Sequence, residues 1–90
     1  MRAPEGIGVK LYMFKAKYLK QLILYRPKNS REAEIRDILI SKLENLRSMT
    51  MPYFLRTLHE IVAHEKSVSD ELKKIVMDMI REAPVEGEEE

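Results

Sequence analysis

Apolar side chains recur at helical spacing through residues 68–83, VSDELKKIVMDMIREA. On a helix that turns about 100° per residue they form one stripe: Val68, Leu72, Ile75, Val76, Met79 and Ala83. Ser67 with Asp70, or Ser69 alone, can cap the start of this helix, and Pro84 ends it. The stretch therefore predicts an amphipathic helix over residues 68–82 that needs a core to pack against.

Three earlier segments have the same periodicity and predict helices at about 9–25, 30–48 and 52–64. Arg26-Pro27 ends the first helix, and Asn29, which has capping-box spacing to Glu32, or Ser30 starts the second. Thr50-Met51-Pro52 starts the third. Because no segment alternates with period two and the connections are short, we expect an all-α chain. Its helices would form a four-helix bundle or compact helical array with antiparallel neighbours.

The composition predicts one small domain between two less ordered ends. Pro4, Gly6 and Gly8 indicate a flexible lead over residues 1–8, followed by a single helical domain over 9–83. Residues 84–90 predict a disordered acidic tail. The chain has no cysteine and no apolar run long enough to span a bilayer. We therefore expect a cytoplasmic protein without membrane contact.

The two ends of the chain carry opposite charge. Residues 1–31 contain eight basic side chains and one acid, whereas residues 82–90 contain five acids and no base. This asymmetry lies behind a net charge of only +1. Such a distribution indicates contact with charged partners, because clustered charge steers association.

No motif in the sequence predicts catalysis. His59 and His64 are five residues apart, so on a helix they point about 140° away from each other and do not fit the zinc-protease spacing of four. The chain also lacks a phosphate-binding glycine loop and the elements of a catalytic triad. We expect a protein that is not an enzyme, with no catalytic or metal-binding residue, no cofactor and no small-molecule substrate.

The first predicted helix is the best candidate for a binding surface. Its apolar arc is broad and rich in tyrosine, a residue that is common at interfaces: Leu11, Tyr12, Phe14, Ala16, Tyr18, Leu19, Leu22, Ile23 and Tyr25. Lys15 lies within this arc, so either its stem covers apolar surface or an acidic partner covers both. The predicted partner-binding residues are Tyr12, Phe14, Lys15, Tyr18 and Tyr25. The alternative is a central helix surrounded by the other three.

Six cations in and after this helix predict contact with an anion: Lys10, Lys17, Lys20, Arg26, Lys28 and Arg31. They could neutralise phosphates, which makes non-specific nucleic-acid binding the second functional hypothesis. Asp70 and Glu71 would begin the recognition helix of a helix-turn-helix, and two acids there argue against sequence-specific readout.

Residues 30–82 resemble the helical A domain of GINS subunits, which belong to the replicative helicase assembly. The likeness lies in Glu34 to Leu46, EIRDILISKLENL, and in Ser67 to Leu72, SVSDEL. The resemblance implies a scaffold that assembles by helix packing. Together with the first helix, it predicts a non-enzymatic interaction or assembly subunit, an accessory component of a nucleic-acid-processing complex. The alternatives are a small nucleic-acid-binding protein and a structural homodimer formed through the first helix.

Overall fold

A computed structural model of the protein describes residues 5–84, with side chains from Val9 onward. Within these residues the chain forms four α-helices and no strand, which confirms the predicted fold class. The helices are α1 (Glu5–Leu24), α2 (Ser30–Glu44), α3 (Met51–His64) and α4 (Asp70–Glu82), with a short 3₁₀ helix at Ser48–Thr50 before α3. Of the predicted acidic tail, residues 85–90 lie outside the described residues, as do residues 1–4 of the predicted lead.

The helix boundaries follow local chemistry. Asn29 caps α2 as predicted, because its Oδ1 accepts the Glu32 N–H at 2.9 Å. Two boundaries lie about four residues from the predicted ones, and the others lie within two residues. The first helix begins at Glu5 rather than near residue 9, so residues 5–8 are helical. The second ends at Glu44 rather than near 48, because the Asn45 side chain binds the Ser41 carbonyl oxygen at 2.9 Å and the chain then turns towards the 3₁₀ helix.

Neighbouring helices run antiparallel. Tyr25 at the end of α1 meets Ser69 at the start of α4, whereas Lys17 meets Glu82 at the end of α4. Helices α1 and α2 are antiparallel in the same way. The end of α2 lies beside Lys15, and Glu32 near the start of α2 lies beside Tyr25, which follows α1. Short connections favour this arrangement.

All four helices contribute to one core. Helix α1 packs against α2 and α4, and α3 packs against α4. Phe14 lies 5.1 Å from Tyr18 and 6.4 Å from Phe54 between ring centroids, the second pair edge to face. Such aromatic pairs contribute beyond their buried area. The buried apolar residues are Phe14, Tyr18, Leu22, Ile35, Leu39, Leu43, Leu46, Met51, Phe54, Leu58, Ile61, Val68, Leu72, Val76, Met79 and Ala83.

Candidate interaction surface

Helix α1 has apolar side chains on two opposite faces. Its inner face places Phe14, Tyr18 and Leu22 in the core. On the other side, five large apolar residues remain 52–72% exposed: Val9, Tyr12, Met13, Ile23 and Leu24. A surface helix normally keeps its apolar residues on the face that packs against the core, so this exposed apolar side is unusual.

The exposed apolar residues form one continuous strip. At about 100° per residue they fall within an arc of about 120°, centred opposite Tyr18. Two further exposed residues, Ala16 and Lys20, lie inside the same arc. We call this strip the outer face of α1; it comprises Val9, Tyr12, Met13, Ala16, Lys20, Ile23 and Leu24.

The predicted partner-binding residues occupy different environments. Tyr12 lies on the outer face and is 72% exposed. Phe14 and Tyr18 belong to the core, so neither presents surface to a partner in this fold. Lys15 and Tyr25 are half-buried and make hydrogen bonds within the protein. The structure therefore does not bring these five residues together on one surface.

Tyr18 is fully buried, and its hydroxyl has no hydrogen-bond partner among the described residues. Burial and the carboxylate of Glu82 raise the pKa of Tyr18 far above the ordinary tyrosine value. The Lys17 ammonium lies 5.2 Å from the centroid of the Tyr18 ring, within the range of a cation–π contact. These contacts give Tyr18 a structural role between α1 and the end of α4.

Lys15 caps the end of α2. Its Nζ donates to the Leu46 carbonyl oxygen at 3.0 Å and lies 3.4 Å from that of Glu44. The last carbonyl groups of a helix lack partners within it and carry a partial negative charge, so an ammonium group is favourable there. Lys15 lies within the predicted apolar arc because its aliphatic stem crosses packed apolar surface, which brings the ammonium group to these carbonyls.

A buried carboxylate joins the start of α2 to the start of α4. Glu32 has no exposed surface. Its Oε1 accepts hydrogen bonds from the Tyr25 hydroxyl at 2.7 Å and the Lys28 N–H at 2.8 Å, and its Oε2 accepts one from the Ser69 N–H at 2.6 Å. Burial alone would raise the pKa of Glu32, but these donors outweigh it and lower the pKa to about 2.

Sequence reasoning identified the spacing of Glu32 to Asn29 but not its role. In a capping box the acid returns to the N–H of the capping residue itself. Here the Glu32 carboxylate instead accepts hydrogen bonds from the N–H of Lys28, the residue before Asn29, and from the N–H of Ser69, which is thirty-seven residues from Glu32. Only the packing of α4 against the end of α1 could reveal the second contact.

Ion pairs occupy three of the six predicted anion-binding cations. Lys17 Nζ lies 2.7 Å from Glu82, and Lys28 Nζ lies 2.6 Å from Glu71. Arg31 binds both carboxylate oxygens of Glu65, at 3.0 and 2.6 Å. These hydrogen bonds raise the pKa values of Lys28 and Arg31, and the bond from Arg31 lowers that of Glu65.

The other three predicted cations have no carboxylate within ion-pair distance among the described residues. They are Lys10, Lys20 and Arg26. Lys20 lies on the outer face, Lys10 beside it, and Arg26 just beyond the end of α1. Within this set, the cations that remain available to a partner therefore lie along α1 and just after its end.

A small groove lies between α2 and α3, with a volume of about 220 Å³. Ile35, Ile38 and Ile61 line it, and His64 lies at its edge. Both His59 and His64 are exposed. Among residues 5–84 no three or more His, Cys, Asp or Glu side chains are arranged to hold a metal ion.

Comparison with protein-family models, curated proteins and solved structures finds no match to this chain. None of the helices in the described part of the chain combines the length and the apolar character that a bilayer crossing requires.

Proposed function

We infer that this protein works by binding another protein through the outer face of α1. The observation that carries this inference is the exposure of five large apolar residues directly opposite the core-facing side of the same helix. Single exposed apolar residues are common, but a continuous apolar strip on a small protein is typical of an interaction site. Tyr12 is the strongest anchor candidate, because tyrosine combines apolar area with a hydrogen-bonding tip.

Nucleic-acid binding is the weaker hypothesis. Lys17, Lys28 and Arg31 are already bound to carboxylates, so a phosphate would have to displace an ion pair at each. The unpaired Lys20 lies among apolar side chains, which suit a protein partner better than a phosphate backbone. Membership of a nucleic-acid-processing complex, which the GINS resemblance implies, stays a prediction.

Affinity capture with matched variants tests the proposed function. The outer-face variant carries Met13→Gln and Ile23→Gln, and the control variant carries Tyr53→Gln and Met77→Gln. All four side chains are exposed, and glutamine suits a helix interior, so both variants should fold normally. We expect the wild-type protein and the control variant to retain the same partner from cells of the source organism. The outer-face variant should retain at least about tenfold less, since it loses central apolar contacts.

The same comparison can contradict the proposal. Equal retention of partners by all three proteins, with circular dichroism showing equal helix content, would mean that the outer face is not the binding surface.

A further inference from the structure

We propose that the partner segment is an acidic amphipathic α-helix that packs lengthwise along the outer face of α1. This inference rests on the proposed function and adds the chemical class of the partner. Three features of the outer face carry it: the spacing of its residues, its charge and its size.

The residues along the centre of the outer face have the spacing by which two helices pair. We call this row the seam; it consists of Val9, Met13, Ala16, Lys20 and Ile23, which are four, three, four and three residues apart. This alternation is the repeat by which two helices pack along their length. Ala16, the small residue at the middle, lets a second backbone come close. From Val9 to Ile23 the seam is about 21 Å long, or about four helical turns.

The charge of the outer face is positive only. No acidic residue occurs between residues 9 and 31. Lys10 and Lys17 flank the seam on one side, and Lys20 lies within it. Since Glu82 of α4 already pairs with Lys17, the cations without a described partner are Lys10 and Lys20. Covering Lys20 with an apolar helix would strip water from an ammonium group that has no carboxylate nearby. A partner helix with Glu or Asp opposite Lys20 and along the flank of Lys10 would pair both cations.

A second copy of this chain is a poor occupant of the same seam. Two copies would bring their lysines together, and residues 9–24 of α1 contain no acid to offset the repulsion. The seam is also narrow: a strip about 21 Å by 10 Å buries only a few hundred Å² per partner, well below the roughly 800 Å² of a stable interface. An interface of this size needs opposite charge to form, so we expect modest affinity that falls as salt rises.

A lipid surface fits less well than a helix. Helices that lie in a membrane interface keep their cations on the polar face and their large apolar residues together on the other. Here Lys20 lies among the apolar residues of the strip, and the small side chain of Ala16 leaves room beside it. A facing helix can fill that space and pair that cation.

Two synthetic helical peptides test the partner chemistry. Both peptides have the same leucine seam. One carries glutamates at the positions that flank this seam and at its central position, and the other carries lysines at the same positions. Fluorescence anisotropy of the labelled peptides would be measured against the wild-type protein, the outer-face variant and a charge variant, Lys10→Glu with Lys20→Glu. We expect the wild-type protein to bind the glutamate peptide at least about tenfold tighter at low salt, with the difference shrinking as salt screens the charges. The charge variant should prefer the lysine peptide, and the outer-face variant should bind neither.

The other outcomes separate this inference from the proposed function. If the wild-type protein binds both peptides equally and the outer-face variant binds neither, the face is confirmed as a docking site and the acidic class is wrong. If neither peptide binds while the outer-face variant still loses its captured partner, the helix inference fails and the proposed function stands. A wild-type dimer in sedimentation, or wild-type binding to phosphatidylserine vesicles, that is lost in the outer-face variant would assign the face to a second copy or to lipid and overturn the inference.

Discussion

At the scale of single residues, Glu32 is the only buried charged side chain among the described residues. Its buried carboxylate satisfies two backbone N–H groups and the Tyr25 hydroxyl, so removing the charge would leave donors near α2 and α4 poorly paired. We expect Glu32→Gln to lower the free energy of unfolding at neutral pH by up to about 3 kcal/mol, since the pKa of Glu32 is lowered from the ordinary 4.5 to about 2. Urea titration followed by circular dichroism measures this loss.

The same residue predicts a pH dependence with a definite sign. The pKa of Glu32 is lower in the folded protein than in the unfolded chain, so its stabilisation is complete above about pH 4.5 and is lost as the pH falls towards 2. The stability gap between the wild-type protein and Glu32→Gln should therefore close over this range. Glu44→Gln, an exposed change in the same helix at a carboxylate outside the described ion pairs, serves as the control. A gap that stays constant down to pH 2 would show that the charge of Glu32 does not stabilise the fold.

At the scale of helices, the sequence predicts the position of each helix more reliably than the face of the helix that packs against the core. Helix α4 has one apolar stripe, and the predicted residues Val68, Leu72, Val76 and Met79 are all buried. Helix α1 has apolar residues on two opposite faces, so its own periodicity does not distinguish the core face from the outer face. The docking of α2 and α4 makes that choice: it buries Phe14 and Tyr18 and leaves Tyr12 exposed. The sequence therefore predicts the helix that carries the proposed surface, but of the five predicted partner-binding residues only Tyr12 lies on the outer face.

Lys15 offers a test at the same scale, because one side chain of α1 completes the end of α2. Lys15→Met keeps the apolar stem and removes the ammonium group that binds the Leu46 carbonyl. We expect unfolding in urea to show a loss of about 1 kcal/mol, the usual size of a favourable charge at a helix end. Partner capture should stay unchanged, because Lys15 lies off the outer face. If stability is unchanged and capture falls, the lysine serves the partner rather than the helix end.

At the scale of the whole molecule, ion pairs decide how much of the basic first third is available to an anion. Lys17, Lys28 and Arg31 are each bound to a carboxylate from α4 or from the residue that follows α3. Of the six predicted contacts, only three cations remain unpaired among the described residues. Each neutralised phosphate contributes about −0.9 to the slope of log affinity against log salt on duplex DNA. This set should therefore contribute no more than about −3 to the slope of the wild-type protein, with weak binding throughout.

Releasing the paired cations should change that slope. A variant with Glu65→Gln, Glu71→Gln and Glu82→Gln frees Lys28 and Lys17 and leaves Arg31 bound to Glu34 alone. It should steepen the slope by up to about 2 and tighten binding at low salt. The control removes equal charge at carboxylates outside any described ion pair, through Glu44→Gln, Glu60→Gln and Asp70→Asn. Because its net charge is the same, a difference between the two variants measures release of the paired cations rather than total charge. Equal slopes would mean that the ion pairs do not shield the basic surface. The ion pairs would then no longer count against the nucleic-acid hypothesis.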